Sequence, residues 1–258
     1  MPRRPKLHSQ EMRLQAPEID SLRLGTGYSL ADLDKPQILI DSVGGESHPN
    51  SVHLPRLADL VRDGVLESGG APARYAVTDM CDGMAQGTDA MDYSLASREL
   101  IAMAVELHAR AGHFDGLVLV SGGDKAVPGH LMAALRLNLP AVHVPGGVME
   151  PGPVTEGLTH HTLTLEMVGA AYGKLRRGEM EEEEYRFLCI NACPTAGGCS
   201  FLGTSGTMQV MAEALGLSLP GSALRPQHLR AMDRGCREAG NAVLRLVERN
   251  LRPRDIVT

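Results

Sequence analysis

Residues 117–144 read LVLVSGGDKAVPGHLMAALRLNLPAVHV, and this stretch decides the fold. Leu117-Val118-Leu119-Val120 is a short apolar run of the kind that forms a strand buried on both faces. The Gly-rich loop SGGDKAVPG follows, then a helix over 129–138, then a second apolar run, AVHV, over 141–144. Strand, loop, helix and strand in that order make a parallel crossover unit.

The unit repeats upstream. In PQILIDSVGGESHP, Ile38-Leu39-Ile40 reads as a buried strand that ends at Asp41 before a Gly-Gly turn. A helix over 53–67 carries Leu54, Leu57, Leu60 and Val61 at helical spacing, with Pro55 in its first turn, where proline is tolerated. Tyr75-Ala76-Val77 is the next strand, followed by a long loop and a helix over 95–111 with Leu100, Ile101, Ala104, Val105 and Leu107 inward. Repetition of this kind predicts a three-layer α/β fold, a mostly parallel sheet flanked by helices. Ligands of such sheets bind outside the carboxyl ends of the strands. The loops 41–52, 78–92, 121–129 and 145–153 all fall at that edge.

Residues 1–36 are polar and Pro-flanked and read as an irregular arm ahead of an α/β domain over 37–258. Downstream, Thr159 to Gly173 reads as helical, and GEMEEEEYRFL as an acidic helix start favoured by the helix dipole. The Gly/Thr/Ser loop of CINACPTAGGCSFLGTSGTM leads into a helix over 207–216, and a final helix spans 226–249.

Composition narrows the function. The 258 residues make one large domain or two small ones, and 43% hydrophobic residues suffice for a core. A net charge of −6 argues against a nucleic-acid partner, which is held mainly by Lys and Arg on phosphates. With no Trp, three Phe and five Tyr, there is little to stack bases on. No run is long and apolar enough to span a bilayer, and MPRRPKLHSQEMRLQ lacks the apolar core of a secretory signal, so no membrane partner is expected. Five cysteines at irregular spacing do not make a disulfide framework, and the expected compartment is the reducing cytoplasm.

The loops at the strand ends carry the chemistry. TDMCDGMAQGTDAM holds Asp79, Asp82 and Asp89, and SGGDKAVPG holds Asp124 and Lys125. Asp82 or Asp124 alone reads as a turn cap. Two such loops at one crevice, one with Lys beside Asp, point to a site for a hard cation such as Mg²⁺. Ser121, Thr204 and Ser205 are candidate substrate-binding hydroxyls. Cys189, Cys193 and Cys199 have C-x3-C-x5-C spacing, which alone reads as small buried residues in a tight loop. Cys81 and Cys236 read as structural, and His48, His53, His143, His160 and His161 as ordinary polar residues near loops.

Three long segments then carry a resemblance: DGMAQGTDAMDYSLASRELIAMAVE, DKAVPGHLMAALRLNLPAVHVPGGVMEPG and ACPTAGGCSFLGTSGTMQVMAEALGLSLPGSA. Together, from about Lys35 to Thr258, the chain resembles the dihydroxy-acid and phosphogluconate (sugar-acid) dehydratase family. The resemblance implies a lyase that removes water from a 2,3-dihydroxy carboxylate. It implies a [2Fe–2S] cluster on three cysteines, acting as Lewis acid on the leaving hydroxyl. It also implies a Mg²⁺ on two aspartates and a carbamylated lysine, and a serine base from a C-terminal β-rich domain. Asp82, Asp124 and Lys125 match the metal ligands, with Lys125 and Asp124 the catalytic candidates. Of the cluster ligands only Cys199 is matched; Asn50 and Gly123 stand at the other two positions, so no cluster of the family type is expected.

Family members continue past RPRDIVT. The expectation is therefore a dehydratase-type N-terminal domain, the β-rich domain being absent, that acts with a second polypeptide on a small polar carboxylate as a homo- or hetero-oligomer. The alternative is a non-catalytic paralogue serving as a scaffold, regulatory or ligand-binding partner, and a third reading is a fragment of a longer gene product.

Overall fold

A computed structural model describes residues 7–154 and 162–257. Its centre is a four-stranded, all-parallel sheet in the order β2-β1-β3-β4, with β1 Gln37–Val43, β2 Ala71–Val77, β3 Gly116–Ser121 and β4 Ala141–Pro145. The helices, in chain order, are α1 His8–Gln15, α2 Glu18–Leu24, α3 Leu30–Leu33, α4 Leu54–Glu67, α5 Asp82–Ala85, α6 Tyr93–Ala111, α7 Ala126–Leu137, α8 Leu165–Arg176, α9 Glu182–Asn191, α10 Thr204–Ala214, α11 Arg230–Arg249 and α12 Pro253–Ile256.

Strand alternation builds the three layers. Ile38, Ile40, Val118, Val120, Val142 and Val144 face α4 and α11. Leu39, Leu117, Leu119 and Ala141 face the opposite way, against α6 and α7. Both faces are apolar because both are covered, which is why the strands read as continuous hydrophobic runs. α4 and α11 touch backbone to backbone: a Cβ on Gly240 would lie 2.5 Å from the Val61 carbonyl oxygen, and one on Gly64 would collide with the Arg237 carbonyl.

Several sequence expectations need correction. Residues 1–36 are not irregular throughout, since α1, α2 and α3 lie within them. That segment is tied down by polar contacts, which leave no apolar period to read. Ser9 donates from N and Oγ to Asp115 at 2.9 and 2.6 Å, and Arg13 forks onto Asp20 at 2.5 and 3.0 Å. Asp41 does not end β1. It lies inside the strand, fully buried on the α6/α7 side, 3.3 Å from His108 Nδ1 and 3.5 Å from His130 Nε2. β2 begins at Ala71, earlier than its apolar residues suggest, because it is an edge strand with Arg74 and Tyr75 exposed. α7 and α10 each start three residues early. Pro128 and Gly206 sit in their first turns, where no intrahelical N–H bond is made. In α6, Leu100 and Leu107 point outward, 57% and 63% exposed, while Ala102 and Ala109 take the buried face. α8 starts at Leu165; the proposed helical residues 159–161, with His160 and His161, lie outside the described residues.

Candidate active site

The order β2-β1-β3-β4 reverses direction between β1 and β3, and the loops that leave the strand ends there wall a cavity of about 360 Å³. Its lining draws on each of those loops: Asn50 after β1, Asp82 after β2, Asp124 after β3 and Met149 after β4, closed by Cys199 and Thr204.

At its polar end, Lys125 Nζ lies 2.5 Å from Asp82 Oδ2 and 2.7 Å from Asp124 Oδ2. Thr204 Oγ1 donates to the same Asp124 oxygen at 3.0 Å, and Ser94 Oγ donates to Asp82 at 2.8 Å. Burial works to raise the Asp82 carboxyl, but the Lys125 ammonium and the Ser94 hydroxyl outweigh it, and the net shift is downward. Burial likewise opposes charge on Lys125, yet its two carboxylates hold the ammonium above the ordinary lysine value. Two carboxylates from separate loops thus converge on one cationic point.

α10 fixes the loops around this point. Ser205 Oγ donates to the Gly122 carbonyl at 2.5 Å. Gln209, fully buried, donates to the Gly122 and Gly147 carbonyls at 3.3 and 3.2 Å and accepts from Gly147 N–H at 3.1 Å. Gly197, at φ +123°, runs against the backbone of Met149, where a Cβ would lie 2.5 Å from the Met149 nitrogen.

Asp82, Asp124, Lys125, Thr204 and Ser205 are therefore brought together. Ser121 is not. Alternation along β3 turns it inward, and its hydroxyl pairs with His143 Nε2 at 2.9 Å, fully buried. Asp89 is exposed in the 3-10 turn Asp89–Asp92. Cys81, read as structural, lines the cavity with Cys193 and Cys199. Burial and then the neighbouring thiols push Cys199 and Cys193 up. Cys236 is buried in the core, as expected, and Cys189 is exposed on α9.

The two cofactors implied by the sequence fare differently. The oxygen donors of Asp82 and Asp124, aimed at the one point that the Lys125 ammonium holds, are of the kind that fits a hard divalent cation. The cluster does not fit the positions that match its ligands. Asn50 offers a carboxamide, and a Cβ on Gly123 would meet Asp79 Oδ2 at 2.9 Å and Asn50 Nδ2 at 3.3 Å. Among the described residues, no three His, Cys, Asp or Glu side chains are grouped so as to hold a metal ion.

Asp79 has a different partner from the one its loop suggested. Its Oδ1 lies 3.1 Å from His48 Nε2, and the two side chains are only 4% and 3% exposed. His48 and Asp79 are 31 residues apart in sequence, and only the adjacency of β1 and β2 brings them together. No local motif announces the pair.

Such a site, with oxygen donors and a lysine at the reversal point of a parallel sheet, lies where open α/β sheets as a class take their ligands. Residues 35–258 match the family described as dihydroxy-acid/6-phosphogluconate dehydratase N-terminal, and the chain belongs to that family. It is 42% identical over 238 residues to a dihydroxy-acid dehydratase of Caldanaerobacter subterraneus subsp. tengcongensis, and 42% over 238 residues to dihydroxy-acid dehydratase 1 of Methanosarcina acetivorans. To the dihydroxy-acid dehydratase of Pyrococcus abyssi it is 40% identical over 232 residues. These alignments cover 92%, 92% and 90% of this chain but 42%, 42% and 41% of the relatives. The chain thus spans less than half the length of the curated relatives it matches. No helix among the described residues is long and apolar enough to cross a membrane.

Proposed function

We propose that this chain is the acid-binding half of a hydro-lyase that acts on a small hydroxy carboxylate, with Mg²⁺ and without the family's [2Fe–2S] cluster. The observation that carries the reading is the convergence of Asp82 and Asp124 on Lys125 at the strand ends. Asp82, Asp124 and a carbamylated Lys125 would hold the cation. When bound, it would supply a positive charge able to attract a substrate carboxylate and to offset negative charge that develops beside it. Ser94 and Thr204 orient the two aspartates. Ser205 and Gln209 hold the Gly122 and Gly147 backbones at the cavity wall.

The chain works as part of an assembly in this reading, a second polypeptide or further domain covering the cavity. With Asp82 and Asp124 given to the cation and the Cys193 and Cys199 thiols pushed up by burial, the proton-abstracting base in this reading comes from that covering segment. The outward face of α6 supports docking: Leu100, Met103 and Leu107 follow one another at helical spacing and are each more than half exposed.

The test is Mg²⁺ or Mn²⁺ titration by calorimetry, with and without bicarbonate. Stoichiometric binding that strengthens with bicarbonate and is lost in Asp82→Asn is expected. Wild-type protein that takes up no metal under either condition would sink the reading. It would favour the non-catalytic alternative, to which the blocked cysteine position at Gly123 already lends support.

A further inference from the structure

A second cavity, of about 760 Å³, lies along the free edge of β2. Its walls come from α2, from Arg62 on α4, from residues 72–75 of β2 and from residues 111–114, which close α6. α6 links the two cavities: Ser94 near its start bonds Asp82, and its last residue borders the second cavity, about 25 Å of helix further on. The volume falls in the range of small-molecule pockets, roughly 300–1,000 Å³. Nothing in the proposed hydro-lyase chemistry uses this space.

The lining is cationic. Arg23, Arg62 and Arg74 contribute to it, and no Asp or Glu does. Arg74 is paired with Asp59, but Arg23 and Arg62 have no carboxylate partner among the described residues. Such a concentration of unpaired positive charge runs against the chain's net charge of −6. Arg23 is also fixed in place. It donates to Gln37 Oε1 and, at 2.6 Å, to the Gly112 carbonyl. Its guanidinium lies 5.5 Å from the Phe114 ring centre and 5.7 Å from that of Tyr28. A guanidinium has more N–H donors than those two bonds use. A side chain already held in one geometry loses little further freedom when an anion binds.

Beside the arginines stands a flat surface. Tyr75 is 41% exposed, and one face of its ring is stacked on His108 with 4.3 Å between ring centres, which leaves its exposed side to the cavity it lines. We propose that this cavity binds a phosphate monoester with a planar body, of the nucleoside monophosphate kind, with the phosphate on Arg23, Arg62 and Arg74 and the ring against Tyr75. Two guanidiniums without carboxylate partners match a dianionic phosphate better than a single carboxylate. One exposed ring, rather than a row of them, matches a single base and not a strand of nucleic acid. The site shares no residue with Asp82, Asp124 and Lys125, so it stands whether or not those three hold a cation.

Three probes test it: adenosine 5′-monophosphate, adenosine, which lacks the anion, and ribose 5-phosphate, which lacks the ring. Each is titrated by ligand-observed NMR into metal-free protein, so that no cation at the strand ends contributes. The monophosphate is expected to bind about tenfold more tightly than either part. Arg62→Gln changes an exposed side chain with no hydrogen bond among the described residues. It is expected to weaken the monophosphate about tenfold, the scale of one lost charge-assisted hydrogen bond, and to leave adenosine unchanged. Tyr75→Leu is expected to weaken the monophosphate and leave ribose 5-phosphate unchanged. Asp82→Asn, in the other cavity, is expected to alter none of the three. An unchanged melting temperature shows that each variant is folded. Adenosine binding as tightly as the monophosphate would overturn the anion assignment, and ribose 5-phosphate doing so would overturn the ring. A monophosphate that fails to bind at millimolar concentration, or binds Arg62→Gln as well as wild type, would overturn the site itself.

Discussion

Lys125 Nζ stands 2.5 Å from Asp82 Oδ2, across a cavity wall that joins residues 43 positions apart. An ammonium placed there neutralises carboxylates that otherwise repel each other. Lys125→Met therefore lowers the denaturant midpoint of metal-free protein at pH 7. The sign follows from both groups. Asp82 is shifted down, so its stabilisation is present above the ordinary carboxylate value and lost as pH falls through its lowered one. Lys125 is shifted up, so its share is present below the ordinary lysine value and lost as pH rises through its raised one. The gap between wild type and variant should hold between about pH 5 and pH 10 and close below about pH 4. Urea melts across that range in a chelator decide it; a gap that widened in acid would contradict the pairing.

His143 gives a second pH signature, of opposite origin. It is wholly enclosed, its nitrogens 2.9 and 3.0 Å from Ser121 and Ser218 hydroxyls, and burial, aided by His130, lowers it to about 3. Unfolded, it titrates near the ordinary histidine value, so the unfolded chain takes up a proton that the native chain refuses. Stability from this residue is complete above about pH 6.5 and falls as pH drops toward 3. Between pH 7 and pH 5 the loss amounts to about 2 kcal/mol. His143→Gln should be less stable at pH 7 yet lose less on acidification, and equal slopes for the two proteins would refute the assignment.

Much of this architecture was legible in the chain. Runs such as Leu117–Val120 and Ile38–Ile40 announced strands because both sheet faces are covered. Asp82, Asp124 and Lys125 stood out because they follow such strands directly. What was hidden depends on relations that a local reading does not hold. Ser121 looked available from its place in a Gly-rich loop, but strand alternation turns it onto His143. Leu100 and Leu107 looked buried by hydrophobicity alone, and small residues on the other side of α6 take the packed face. His48 and Asp79 became partners only once β1 and β2 were known to be neighbours.

Thiol chemistry should sort four of the five cysteines by environment. Reactivity follows the thiolate fraction and access. Cys189 is exposed, whereas burial pushes Cys236 up to about 12. Cys193 and Cys199 are raised by burial and by neighbouring thiols. Under native conditions at pH 8, a maleimide is expected to label Cys189 first, Cys193 and Cys199 slowly, and Cys236 only on unfolding. Peptide mass mapping over time reads this order, and early labelling of Cys236 would contradict the packing of α11.

The contact between α4 and α11 permits the sharpest stability test. Gly240 lies on the buried face of α11, and a methyl group there would approach the Val61 carbonyl oxygen to 2.5 Å and the Val65 nitrogen to 2.7 Å. In a solvent-facing helix, Gly→Ala stabilises through propensity by up to about 1 kcal/mol. Here the neighbours are backbone atoms that cannot rotate away, so the helices must separate, and overpacking of this kind costs about 1–3 kcal/mol. Separation would also loosen Val243 and Val247 from the sheet. The Gly240→Ala protein should therefore melt several degrees lower than wild type, with Gly169→Ala, on α8 with nothing within 4 Å, as the control that does not. A Gly240→Ala melting temperature equal to or above wild type would mean that the two helices do not approach backbone to backbone.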